Sequence, residues 1–448
     1  MKYSTDTLEE SPPKPTARCP LHASVRQLLQ AHCQEDKNGA PTAAIRNLQT
    51  HPLPQAGFSI AIYRRAADLP AYWDRLCADD QVFLKKAYLQ QFEAHPPAHF
   101  GFAYVVFLRQ GEAVGIAACQ LVDFNLARNV QHLQRIDTEL PRWQQWGPQL
   151  RRWFARRANF RLLVCGAAQA TGQHAYHFAG ALLSPKEQLS ILQDGLEVLS
   201  RELHRQGWHP QAVLVKDFYE EGQAEVMQTD GYHLFPFMPN LMLQLRPGWN
   251  TFEDYLDAMV SKYRVRARRA FKKAKTVTVR PMSLADMATA QERMHELYLG
   301  VACSADFSLL QLSPGYFTAL KKQMGEDFTV LGYYKEGELI GFCSALRNGP
   351  ELEAHFLGFD NTQNHKHQLY LNMLYDIVRL GIEQFQSETI VFSRTATEIK
   401  TSVGAEPVPM QAFMRYRCGL LNRLLPFVIR RFETEEVYKQ RHPFGKGA

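Results

Sequence analysis

A hairpin signature that occurs twice constrains this chain more than any other feature. The stretches FLRQGEAVGIA, from Phe107, and YYKEGELIGFC, from Tyr333, match in register at an offset of 226 residues. Each reads as two apolar strands joined by a tight turn, Gln110-Gly111-Glu112 in one and Glu336-Gly337-Glu338 in the other. A second glycine follows at 115 or 341. Glycine takes the positive φ of such a turn at no steric cost. A repeated unit of this kind predicts two copies of one fold.

The elements around the two hairpins follow one order. The first half reads as a strand over 59–63, a helix capped by Asp68 and running through Leu76, and a helix over 82–93. The hairpin over 101–124, a basic helix over 144–157 and a strand over 161–165 follow. Ser184-Pro185-Lys186-Glu187 is a capping box with proline at the first helical position. It opens a helix with Leu189, Leu192, Leu196, Leu199 and Leu203 on one stripe. Strands over 212–216 and 241–245 end this half. The second half runs strand 277–280, a helix from Ser283, helix 314–324, hairpin 328–347, strand 351–359, helix 368–385 and strands 389–392 and 410–415. This order implies an α/β fold with a mixed, mainly antiparallel sheet (α+β mixed sheet), not strict βαβ alternation. The expected division is an N-terminal extension at 1–56, partly flexible and with one short helix near 25–33, a first unit at 57–248, a second at 249–432 and a tail at 433–448.

Composition removes several function classes. An apolar fraction of 46% and an aromatic fraction of 11% describe a globular chain, not a disordered one. No stretch approaches the ~20 apolar residues of a membrane span. The N-terminus carries acids where a signal peptide needs a basic start and an apolar run, so a cytoplasmic location is expected. The eight cysteines form no CxxC pair, and several sit in apolar strand-like runs, so they read as reduced core residues. Cys19, His22 and Cys33 lack the second half of a metal site, and no metal is expected. No GxGxxG follows a strand and no GxxxxGK[ST] occurs, which leaves dinucleotide and P-loop readings without support.

The net charge of 51 − 45 = +6 is small, but its distribution is uneven. Lys262, Arg264, Arg266, Arg268, Arg269, Lys272, Lys273 and Lys275 crowd into 262–275. Thr251 and Asp254 read as the cap of the helix leading into this run. Its excess of cations exceeds what matching a helix dipole needs. It reads either as a solvated helix end or as a surface for a polyanion such as tRNA, cofactor phosphates or a lipid-linked precursor. A second cluster, Arg142, Arg151, Arg152, Arg156, Arg157 and Arg161, is interleaved with Trp143, Trp146 and Trp153, for base stacking or for core packing. On the strand over 351–359, Glu351, Glu353 and His355 alternate with Leu352, Ala354 and Phe356, which places the polar groups on one face. Arg394, Glu398 and Lys400 follow a strand end. The stretch GLLNRLLPFVIRRF, from Gly419, is too short to span a bilayer. It reads as a helix on an anionic membrane surface or as a docking helix broken by Pro426.

The doubled element order over roughly 57–418 resembles the GNAT (acyl-CoA N-acyltransferase) superfamily in its tandem form. The segments SKYRVRARRAFKKAKTVTVR, from Ser261, and SRTATEIKTSVGAEPVPM, from Ser393, resemble FemABX-type peptidoglycan aminoacyltransferases and FemAB-like bacterial acyltransferases. The resemblance implies two tandem GNAT-like domains, the second catalytic, that move an acyl group from acyl-CoA to an amine. In the FemABX-like form the donor is aminoacyl-tRNA and the acceptor a peptidoglycan precursor. A non-catalytic pair that binds a polyanion or a membrane is the third reading. The resemblance further implies a base on the strand over 351–359, Glu353 or His355, and a tyrosine that returns a proton to the leaving thiolate, Tyr370 or Tyr416. An ordinary GNAT domain seats a diphosphate on a [RQ]xxGx[GA] loop. Here 360–368 reads DNTQNHKHQ, with no glycine. The candidate cofactor contacts are therefore side chains: Asn364, His365, Lys366, His367, Arg394 and Lys400. Arg264, Arg266, Arg268, Arg269, Lys272 and Lys273 are the candidate polyanion contacts. The expected partners are a small-molecule or lipid-linked amine, tRNA, and a peripheral membrane contact.

Overall fold

The computed structural model describes residues 50–125, 159–180, 183–219, 227, 231–236, 238–303, 310–430 and 439–445. The helices expected near 25–33 and over 144–157, the trio Cys19, His22 and Cys33, and the Trp/Arg cluster from 142 to 157 lie outside these residues. In chain order the strands of the first half are β1 (Thr50–Pro52), β2 (Phe58–Tyr63), β3 (Phe100–Arg109), β4 (Glu112–Asn125), β5 (Asn159–Cys165), β6 (Tyr176–Phe178), β7 (Ala212–Phe218), β8 (His233–Pro236) and β9 (Asn240–Gln244). Those of the second are β10 (Thr278–Pro281), β11 (Phe328–Lys335), β12 (Glu338–Asn348), β13 (Glu351–Phe359), β14 (Thr389–Val391), β15 (Glu406–Val408) and β16 (Gln411–Tyr416). They form two mixed sheets. One runs β1-β2-β3-β4-β5-β7-β16-β8, with β6 on β4, and the other β10-β11-β12-β13-β14-β9-β15.

The central pairings of the two sheets repeat one another, while β1 and β6 belong to the first sheet alone. β4 meets β5 antiparallel and β5 meets β7 parallel; β12 meets β13 antiparallel and β13 meets β14 parallel. The hairpin match extends to its irregularities. The register shifts between Phe107 and Leu108 in one copy and between Tyr333 and Tyr334 in the other, positions again 226 apart. Gln110 and Glu336 have φ of 52° and 53°, and Gly111 and Gly337 have φ of 89° and 86°.

The repeat closes by exchange. β9, from the first half, pairs with β14 in the second sheet, and β16, from the second half, pairs with β7 in the first. A division of the chain at 248/249 therefore follows sequence order, whereas each sheet borrows a strand across it.

Eleven α-helices lie in the described residues: α1 (Lys86–Ala94), α2 (Pro185–Arg205), α3 (Phe252–Ala258), α4 (Ser261–Lys273), α5 (Leu284–Thr289), α6 (Gln291–Ala302), α7 (Tyr316–Met324), α8 (Asn361–His367), α9 (Leu369–Arg379), α10 (Thr397–Thr401) and α11 (Gly419–Arg430). The capping boxes at Ser184, Thr251 and Ser283 all form. All five leucines of the α2 stripe are buried against the first sheet. No described helix is long and apolar enough to cross a membrane. Among the described cysteines, Cys119, Cys165 and Cys343 are buried free thiols, Cys77 is a half-buried one, and Cys418 is exposed, as is Cys303, so the core reading fails for the last two.

Four helix expectations need correction. Pro426 does not break its helix but lies inside α11. In place of a helix over 68–76 there are two short 3-10 turns, Ala66–Asp68 and Trp73–Leu76. Pro70 disfavours the helical conformation at Leu69, which is extended at ψ 139°. The helix over 82–93 is broken at Lys85, which is also extended. Val82, Phe83 and Leu84 are consecutive and all buried, which one helical face cannot achieve. The basic run is a separate helix, α4, because Met259 and Val260 are extended. The acids at Glu253 and Asp254 belong to α3, and α4 has no acid in its first turn.

One core cluster joins the halves. Trp73, Phe83, Tyr88 and Phe92 from the first half pack with Tyr298, Tyr316, Phe317 and Phe342 from the second.

Candidate active site

The site candidates on β13 face this joint core. At His355 and Phe356 β13 carries a bulge. Cys343 pairs with Leu357 and Ala345 with Ala354, so Ser344 alone opposes His355 and Phe356. The Ser344 hydroxyl donates to the Phe356 carbonyl at 2.8 Å and accepts from its N–H at 3.1 Å, which satisfies the backbone the bulge strands. The extra residue changes the phase of the alternation. His355 and Phe356 both reach the joint core, with ring centroids 4.6 Å apart.

Glu353 is buried, and its Oε1 meets two groups. Asn348 Nδ2 donates to it at 3.3 Å, and His174 Nε2 lies 3.7 Å away. Asn348 is held in turn by the Val82 N–H, which donates to its Oδ1 at 2.8 Å. His174 comes from the first half, on the loop after β5. Its ring lies 4.6 Å from Phe83, and its Nε2 has no hydrogen-bond partner among the described residues. One pleat away, burial pushes the Glu351 carboxyl up to about 7; the neighbouring Glu353 carboxylate pushes the same way, and His174 opposes. Two carboxyl groups and an imidazole therefore meet where the halves join.

The loop carrying His174 is anchored by buried charge. Lys216 Nζ donates to the Ala167 and Ala170 carbonyls at 2.7 and 2.9 Å and pairs with Asp217. Asp217 Oδ2 accepts from the Gly172 N–H at 3.3 Å, and its Oδ1 pairs with Arg394 of the second half. Burial pulls the Lys216 ammonium down to about 8, against the pull of Asp217. Glycine is required at Gly172, where φ is 141° and a Cβ would stand 2.5 Å from His174 Nε2.

His355 belongs to a separate chain of hydrogen bonds. Its Nε2 lies 2.6 Å from the Tyr316 hydroxyl, which lies 2.9 Å from the Tyr88 hydroxyl. Tyr88 also meets Gln169, whose Oε1 accepts from Gln120 at 2.7 Å. Burial pushes the His355 imidazole down to about 3, so the ring is neutral near pH 7. So weak a base is poorly suited to take a proton from an amine, and of the two β13 candidates Glu353 is better placed.

The other sequence candidates are not gathered here. Tyr370 packs against Phe359, six residues beyond Glu353 and roughly 20 Å along the strand. Tyr416 lies on β16 in the first sheet. In the 360–368 segment, Asp360 caps α8 by accepting from the Thr362 N–H at 2.8 Å, and its carbonyl accepts from the Gln363 and Asn364 N–H groups. Asn364 Oδ1 accepts from the Tyr370 N–H at 3.0 Å, and His367 Nδ1 donates to the Lys273 carbonyl at 3.0 Å. A carboxylate thus stands where a diphosphate would need free N–H groups, and the segment does not fit one. His365 and Lys366 are exposed. Lys400 is buried, and its three N–H bonds go to the carbonyls of Phe392, Ser393 and Arg394. Arg394 pairs with Asp217 and donates to the Met238 carbonyl at 3.1 Å. On α4, Arg266, Arg268, Arg269, Lys272 and Lys273 are exposed, while Arg264 pairs with Asp257 at 3.1 Å.

Sequence reasoning missed His174, Lys216, Asp217, Tyr88, Tyr316 and Asn348. One signal was present: Lys216-Asp217 interrupts the otherwise apolar strand AVLVKDF. Adjacent charges inside such a run require buried partners.

No protein-family model and no curated relative matches the chain. Among solved structures it is similar to FemX, at 12% identity and a TM-score of 0.44, over 75% of this chain and 96% of that one. It is similar to a tandem GNAT protein from the clavulanic acid biosynthesis pathway, at 12% identity and 0.44, over 80% and 98%. A GCN5-related N-acetyltransferase from Sphaerobacter thermophilus follows at 10% identity and 0.38, over 80% and 95%. All three are distant likenesses.

Proposed function

We propose that the chain is an acyltransferase of GNAT type that moves an acyl group from an activated ester or thioester to an amine, with Glu353 as the base. The observation that carries this reading is the setting of Glu353, a buried carboxylate on the strand after the repeated hairpin, facing His174 across the joint at 3.7 Å. The amine nitrogen attacks the acyl carbon, its proton passes to Glu353, and the bond to the leaving oxygen or sulfur breaks. The leaving group then takes a proton from water. His174 is a positioning residue for the carboxylate. The acceptor class is a small-molecule or lipid-linked amine.

Acyl-CoA is the donor class the sequence resemblance implies. The α8 cap favours a second reading of the donor, an aminoacyl-tRNA held by α4. Asp360 leaves no seat for a diphosphate, while α4 ends against the same segment through the His367–Lys273 bond. Turnover of a panel of acyl-CoA thioesters and of charged tRNA with amine acceptors tests both. E353Q should lower kcat by about 10²–10⁴-fold with its melting temperature preserved. Full turnover in E353Q would sink the proposed base. Charged-tRNA binding with a steep salt slope, flattened by R268Q and K272Q, would establish the second donor over the first.

A further inference from the structure

We infer that α11 and the recess beside it form a docking surface for a membrane of anionic phospholipid. The helix is pinned to the end of the first sheet on one side: Asn422 Oδ1 accepts from the Tyr416 N–H at 2.8 Å and its Nδ2 donates to the Gly231 carbonyl at 2.9 Å. That fixes which side chains face water. Leu420, Leu421, Leu424 and Phe427 are 70%, 46%, 53% and 79% exposed, and Leu234 on the neighbouring β8 is 44% exposed. Nine large apolar residues are exposed among the described residues, and five of them are here. Apolar surface concentrated in this way marks an interaction site.

Charge selects the partner. Residues 411–432 contain Arg415, Arg417, Arg423, Arg430 and Arg431 and no acid. Arg423 is exposed on the helix between the leucines, and Arg417 at its foot. Arg415 pairs with Glu197 at 3.5 Å, and Arg417 and Arg423 are the exposed arginines at the helix among the described residues. At the foot of α11 an open recess of about 430 Å³ is lined by His204, His209, Gln211, Tyr416, Arg417 and Leu421. Arg417 Nη1 donates to His204 Nδ1 at 2.7 Å, and His209 Nδ1 approaches the same nitrogen at 2.8 Å. A guanidinium fork beside two imidazoles is chemistry that takes a phosphodiester oxygen. A second copy of this face would bring like charges together. A lipid surface of negative charge accepts both the apolar stripe and the arginines. Twelve residues are too few to span a bilayer, so the helix lies in the interface plane. This inference does not depend on the reaction proposed above.

Flotation of the full chain with vesicles of phosphatidylcholine, alone or mixed with phosphatidylglycerol, tests it. Binding should require phosphatidylglycerol and weaken with salt. L424Q and F427Q, both at exposed positions, should each lower the binding constant about tenfold or more at unchanged melting temperature, with L420Q as a third variant should either fail to fold. R417Q and R423Q should flatten the salt dependence. Failure to bind the anionic vesicles, equal binding to phosphatidylcholine alone, or undiminished binding by the glutamine variants would overturn the proposal. So would a dimer by light scattering that F427Q returns to monomer, because the patch would then be a contact between copies.

Discussion

At the residue scale, Glu351 and Gly172 report on the joint between the halves. The Glu351 carboxyl is raised to about 7 from an ordinary value of 4.5, chiefly by burial. An acid raised in the folded state adds stability below its unfolded value, and that contribution is lost as pH rises through 4.5 toward 7. E351Q should therefore gain on the parent chain across that window, by up to about 3 kcal/mol, and keep a constant lead above it. Thermal unfolding of both proteins from pH 4 to 8 measures this, and parallel pH curves would contradict it. Gly172→Ala forces a side chain into a left-handed backbone and against His174. A cost of about 1–3 kcal/mol is expected. The variant should also lose turnover, as His174→Ala should, because the imidazole can no longer stand beside Glu353. Neither glycine nor histidine was legible as a site from the sequence, since the loop 166–175 matched no phosphate-binding pattern and its role depends on a strand nearly 180 residues away.

At the element scale, β13 is the strand that everything approaches. α6 comes so close to it that a Cβ on Gly358 would stand 2.4 Å from the Tyr298 backbone nitrogen. Backbone cannot yield as a side chain can, so Gly358→Ala should push α6 off the sheet and cost about 1–3 kcal/mol or more, read as a lower denaturation midpoint. Ser344→Ala tests the bulge. It leaves the half-buried Phe356 N–H and carbonyl without their Ser344 partner, at about 1–3 kcal/mol, and it relaxes the phase that brings His355 to Tyr316. Elements were the most legible level in the sequence. The hairpins, β13 and the α2 capping box fall where periodicity and caps place them. The failures have separate causes. Pro70 sets the break at Leu69 locally. The break at Lys85 follows from three consecutive residues, Val82 to Leu84, all drawn into the joint core, and at the third break Met259 is itself buried in a core, which a local pattern does not encode.

At the scale of the whole molecule, strand exchange makes each half incomplete. Residues 57–248 alone lack β16, which leaves the fully buried strand β7 as a bare edge, and 249–448 alone lack β9 beside β14. An edge of this kind pairs with other chains. Neither half expressed alone should give a soluble, cooperatively unfolding protein, whereas the chain from Leu48 on should unfold in one transition by calorimetry. Two resolved transitions, or a stable isolated half, would show that the borrowed strands are dispensable.

The sequence by itself determined that a unit occurs twice, that its sheet is mixed, and that Glu353 and His355 share a face of one strand, because alternation, turn glycines and caps act over a few residues. Tertiary structure alone decided that this face is closed by the other half and that His174 meets Glu353. It also decided that Lys400, Asn364 and His367 hold backbone in place of a ligand. These outcomes depend on which side chains are left without water once two sheets pack together, and burial of charge is a property of the assembled molecule.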